Sequence, residues 1–201
     1  RARGHLAVPL DLTAVGQNLS VEQWYDGLMA RVGRLLDLED ALEDYWEQNQ
    51  RLSPVQRFFS ALGDVALPRV SESIVFFVDE LDATLSLPFS SDEFFAAIRE
   101  CYNRRVVDSA YARLTFCLLG VAMPNDLVSN PSATPFTVGH YVELRDFSLG
   151  EMRGLSAGFS ESGASTFAVE ETLGRVHHWT GGHPYLSQRL CQALAQSWHP
   201  S

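Results

Sequence analysis

Ile74-Val75-Phe76-Phe77-Val78-Asp79-Glu80 sets five apolar residues, three β-branched and two aromatic, directly before two acids. A run of that kind predicts a strand buried on both faces, as found in the middle of a parallel sheet. The acids then fall at the strand's carboxyl end, the edge at which open α/β sheets bind ligands. An acid placed there can hold Mg²⁺, and a second can orient a water. The same two residues could equally mark no more than the point where the strand surfaces.

Other stretches extend this reading outward. Residues 6–12 (LAVPLDL) predict a short strand that ends at Asp11 and Thr13 on the same edge, with Pro9 removing one ladder donor. Ser20-Val21-Glu22-Gln23 is a capping box. The helix it opens carries Val21, Trp24, Tyr25, Leu28, Val32, Leu35 and Leu36 on one face. Residues 39–50 are acidic, with Leu42, Tyr45 and Trp46 as a short apolar stripe, and predict a surface helix. Ser53-Pro54-Val55-Gln56 is a second capping box with proline at the first helical position. Its helix turns Phe58, Phe59 and Leu62 inward and stops near Pro68. A third box is expected at residues 90–93, opening a helix with Phe94, Phe95, Ile98, Cys101 and Tyr102 on one side. Residues 114–120 (LTFCLLG) predict a second central strand, residues 141–144 a shorter one, and Ser148 to Glu151 a further helix start.

Alternating strands and helices up to about residue 155 specify an α/β fold, a parallel sheet with helices on both faces. The remainder has no strand signal. A Ser/Gly-rich break at 160–166 precedes two helices, 167–179 and 185–198, joined by Thr180-Gly181-Gly182-His183-Pro184. Glycine ends the first and proline starts the second. The expected division is therefore an α/β core at 1–155 and a small helical lid at 156–201.

Composition narrows the function. A net charge of −10 argues against a sequence-independent binder of nucleic-acid backbones, and Arg104-Arg105 is the sole candidate basic patch. No apolar run approaches a membrane span, and no signal peptide is visible. Cys101, Cys117 and Cys191 fall within apolar patterns and read as small core hydrophobes in a reducing compartment. The spacing of His177, His178, His183 and Cys191 matches no usual zinc pattern. A serine- or cysteine-nucleophile enzyme has little support in the sequence. All 15 basic residues are arginine, so the chain has no lysine to complete a GxxxxGK[ST] phosphate loop. Together with the start at Arg1, this leads us to expect a fragment lying downstream of such a loop.

In order along the chain, LDLTAVG, VEQWYDGL, LSPVQRF, IVFFVDELD, FFAAIRECYNRR, RLTFCLLGVAMPNDL and WTGGHPYLSQRLC resemble the AAA-like domain of the STAND group of P-loop ATPases, from Leu10 to Cys191. Such domains are common in bacterial signalling proteins, often beside repeat domains. The resemblance implies a truncated P-loop core followed by a helical lid. Asp79 would hold Mg²⁺ and Glu80 would polarise the water that attacks the γ-phosphate of ATP. Asn125, with Asp126 as the alternative, would be the polar sensor of that phosphate. Pro184 in the GxP motif would pack near the adenine and couple nucleotide state to the lid. The family's phosphate loop and the strand before it have no counterpart in this chain. ATP and Mg²⁺ are thus expected to serve the full-length parent, with this chain inactive alone. The implied setting is cytoplasmic, with flanking domains of the same polypeptide as partners and self-association through an open sheet edge. The alternative is a non-enzymatic protein-interaction module on a degenerate nucleotide-hydrolase fold.

Overall fold

The computed structural model describes residues 4–128, 135–159 and 165–197. The chain divides into two compact units, the first ending at Tyr141 and the second beginning at Val142. The helix opened by Ser148 therefore falls in the second unit, upstream of the division at 155/156 that the sequence suggested. Ser160 to Ala164, within the Ser/Gly-rich break, and Trp198 lie outside the described residues.

In the first unit, β1 (His5–Asp11) leads to α1 (Val21–Leu36), α2 (Glu39–Gln48) and α3 (Pro54–Ala61). A π-helical turn at Leu62–Ala66 continues α3 into α4 (Leu67–Arg69). Then come β2 (Ser73–Asp79), α5 (Asp92–Asn103), β3 (Leu114–Leu118) and the single turn α6 (Pro124–Leu127). Among the described residues the three strands form one parallel sheet in the order β1-β2-β3. Ile74 pairs with Leu6 on one side and Leu114 on the other, and Asp79 with Asp11. The α/β class, the parallel sheet and the central position of β2 are as the sequence implies.

The capping boxes at Ser20 and Ser53 both form, each serine accepting from the third helical N–H while a glutamine side chain returns to the serine's own N–H. The box expected at residues 90–93 does not. The cap is Ser91, which makes no side-chain cap bond; the Ser90 hydroxyl accepts instead from Asp92 N–H, and α5 starts one residue late. No strand forms at residues 141–144. Tyr141, Val142 and Leu144 are exposed there, and an isolated apolar triplet without a neighbouring ladder does not make a strand.

β2 is covered unequally. Ile74, Phe76 and Val78 are fully buried, whereas Val75 is half-buried and Phe77 keeps 38% of its surface exposed. β1 repeats the pattern, with Val8 and Leu10 inward and Ala7 and Pro9 outward. Helices α1, α3 and α5 gather on the inward face rather than dividing between both. Phe59, on that face, meets both Phe94 and Phe116, and Phe116 stacks on Phe76 with centroids 5.1 Å apart. Topology explains the difference. Parallel crossovers are right-handed, so strands placed in the unreversed order 1-2-3 send every connecting helix to the same side. Covering the other face takes a strand at which the order reverses.

This unequal cover also corrects the reading of one cysteine. Cys101 is buried in α5, where desolvation pushes its thiol up to about 12. Cys191 is buried too, but Cys117 is half-buried on the open side of β3, in register with Phe77. Brief alkylation of the native chain is expected to mark Cys117 well before Cys101, because the thiolate is the nucleophile and needs access. Mass spectrometry of the labelled peptides checks this; equal labelling would mean that the open face is covered.

In the second unit, α7 (Leu149–Met152) continues as a 3₁₀ segment, Arg153–Phe159. Beyond it stand α8 (Thr166–Thr180) and α9 (Pro184–Gln196). Met152, Phe159, Val169, Leu173, Val176 and Cys191 make its core. Ser148 and Glu151 form the expected capping box. No described helix is long and apolar enough to cross a membrane.

Candidate functional site

The carboxyl edge of the sheet collects the acids. Asp79 is the last residue of β2 and is exposed, and its Oδ1 accepts from Glu80 N–H at 2.9 Å. Glu80 turns the chain sharply at φ 57°, ψ 48°, the left-handed region that a residue with a Cβ rarely occupies. A strained, solvent-facing acid at a strand end is the kind of feature that clusters at ligand sites. Beyond it, Leu81–Ser86 forms a 3₁₀ turn.

Asp11 reaches the same edge from β1, but its Oδ1 is engaged by Thr13, from the N–H at 2.8 Å and the hydroxyl at 2.6 Å. The Thr13 hydroxyl holds the Asp11 carboxyl below its usual range. A lowered folded-state pKa favours the fold above the ordinary carboxylate pKa, and that contribution is lost as pH falls through the lowered value.

The loop after β3 is fastened to the turn after β2. Leu81 N–H donates to Leu119 O at 3.0 Å, and Leu119 N–H to Val78 O at 2.8 Å. Half-buried Asp82 accepts from Val121 N–H at 2.9 Å and Ala122 N–H at 2.5 Å. Asn125 and Asp126 follow in α6, both exposed. The fold therefore brings Asp79, Glu80 and the loop leading to Asn125 to one edge of the first unit. Asp82 therefore spans two loops. The DELD spacing was the available signal, but its partners are backbone amides, which no sequence motif marks.

Arg104 and Arg105 are used within the fold. Arg104 Nη1 donates to Tyr111 Oη at 2.6 Å, and Arg105 donates to Leu114 O while lying 4.9 Å from the centre of the Tyr102 ring. Pro184 belongs to the second unit, at the first position of α9. Before it, Gly181 and Gly182 take φ of 63° and 86°. Gly182 O accepts from Phe147 N–H at 2.8 Å, while His177 Nε2 lies 3.1 Å from Phe147 O and so carries the proton it donates. Thr180 Oγ1 donates to Val176 O and accepts from Ser187 Oγ and Gly182 N–H. The turn thus locks the segment before α7 onto the α8–α9 hairpin.

A parallel α/β unit with acids at the carboxyl end of its central strand, followed by a helical unit, fits a nucleotide-binding domain. The chain belongs to the AAA-like domain family, whose profile matches residues 1–199. It is 39% identical over 197 residues to an uncharacterised WD repeat-containing protein of the cyanobacterium Synechocystis. The match takes in 96% of this chain, which spans 16% of that relative's length. No solved structure matches it.

Proposed function

We propose that these residues are the greater part of a STAND-type ATPase domain that acts as a nucleotide-dependent signalling switch within a longer cytoplasmic protein. The exposed Asp79-Glu80 pair at the carboxyl end of the central parallel strand carries this reading. In it, Asp79 holds Mg²⁺, directly or through water, and Glu80 orients the attacking water. Asn125 reads the γ-phosphate, and Pro184 relays nucleotide state to the helical unit. The bound metal would offset charge on the transferring phosphoryl group. Lysine is absent from all 201 residues, so a phosphate loop of the GK form has to come from elsewhere in the polypeptide. A strand carrying that loop would reverse the strand order beside β3, next to the crevice where such folds take their ligand. The edge of β3 that is unpaired among the described residues also offers a route to self-association.

This chain alone is expected to bind ATP·Mg weakly or not at all by calorimetry. The full-length protein should bind it, and Glu80→Gln should keep that binding while turnover falls about a hundredfold or more. Undiminished hydrolysis by that variant would remove Glu80 from the water-orienting role. The missing lysine also favours a second reading, an interaction module on a degenerate site. Failure of the full-length protein to bind ATP·Mg would select it.

A further inference from the structure

We propose that Asp82 is a positioning residue that registers the loop leading to Asn125 against the Asp79-Glu80 turn; its functional part rests on the nucleotide reading above. Both oxygens of one half-buried carboxylate are committed to successive amides of the other loop, Val121 at 2.9 Å and Ala122 at 2.5 Å. Packing adds little along that loop: Ala122 rests half-buried against the core, but Val121 and Met123 keep 92% and 60% of their surface exposed. Gly120 shows how close the approach is. A Cβ there would stand 3.0 Å from Asp82 Oδ2 and 3.0 Å from Leu81 Cβ, so the absence of a side chain lets the loops meet.

The Leu81–Leu119 backbone bond fixes the start of the loop, and Asp82 carries the register two residues further, toward α6. Bonds to an ionised acceptor are about twice as strong as neutral ones. An apolar, solvent-facing loop without them would sample other positions. Catalytic constellations tolerate little such drift, so loosening should lower turnover while leaving nucleotide affinity, set mainly by the phosphate grip, in place.

Asp82→Asn keeps one acceptor oxygen and turns an NH₂ donor toward the second amide. Gly120→Ala keeps the carboxylate but presses the loops apart, and so tests the same link if the first variant fails to fold. In this chain, hydrogen exchange at the Val121 and Ala122 amides should speed by about tenfold or more in either variant, with β2 and β3 unchanged. In the full-length protein, turnover should fall by about tenfold with ATP affinity within about twofold of the parent. Unchanged exchange, or a loosened loop with undiminished turnover, overturns the assignment. A parent protein that turns over no ATP overturns the nucleotide reading itself, and the functional part given to Asp82 with it.

Discussion

Gly182→Ala is expected to unfold the second unit at temperatures where the parent chain keeps it intact. Two costs fall on one position. Gly182 has φ 86°, which a residue with a Cβ adopts only under strain. The added Cβ would also overlap the carbonyl of Phe147, lying 3.0 Å from its carbon and 3.2 Å from its nitrogen. That carbonyl accepts from His177, and the same residue's N–H is held by Gly182 O, so moving Phe147 aside breaks both bonds. Strain of about 1 kcal/mol plus two buried-side hydrogen bonds of about 1 kcal/mol each gives roughly 3 kcal/mol. Among the described residues the core of this unit has six buried apolar side chains, so a loss of that size is a large share of what holds it. Gly181→Ala separates the two causes. Its φ is 63°, but a Cβ there meets nothing within 4 Å, so only the strain of about 1 kcal/mol applies. Hydrogen exchange across α8 and α9, with thermal melting of each variant, measures the difference. Equal effects from the two glycines would mean that the Phe147 contact contributes nothing.

That glycine shows what the sequence could and could not disclose. Thr180-Gly181-Gly182-His183-Pro184 reads correctly as a helix stop and start, because those preferences are local. The reason for the second glycine lies at Phe147, and no periodicity links the two. Local chemistry likewise made the boxes at Ser20, Ser53 and Ser148 legible, since each is settled within four residues. Residues 90–93 carry the same pattern and fail because Ser91, not Ser90, takes the cap. The strand at residues 74–79 was legible from its apolar run, but not the side its helices would take. That depends on strand order and crossover handedness, which appear only once the sheet is assembled. At the site, Asp79 and Glu80 could be placed at the sheet's carboxyl edge from a strand end, whereas Asn125 came only from the family resemblance. Asp82 could not be given its partners, because they are main-chain groups in a distant loop.

Arg57→Ala should cost the first unit more than the loss of any surface ion pair would. Arg57 is 5% exposed, and its guanidinium reaches both carboxylate oxygens of Glu22 at 2.6 and 2.5 Å. The same group lies 4.0 Å from the centre of the Trp46 ring. One side chain on α3 therefore ties down α1 and α2 within the helical roof over the sheet. Removing one partner of a fully buried pair costs about 3–5 kcal/mol, chiefly because the other charge is stranded. Glu22 is not stranded, since its side chain is 47% exposed and water can take over its oxygens. The ion pair therefore contributes less than that range, about 2 kcal/mol, and the rest of the loss, about 2–3 kcal/mol, comes from the emptied space and the uncovered Trp46 ring. Arg57→Met tests this apportionment: it refills most of the volume, keeps a surface against Trp46 and removes only the charge. Its cost should be about half that of alanine, because a desolvated guanidinium with an unpaired Nε is itself expensive to bury. Urea midpoints of the two variants against the parent decide the matter. A methionine variant as damaged as the alanine variant would show that the Glu22 pair, rather than packing, holds the roof in place.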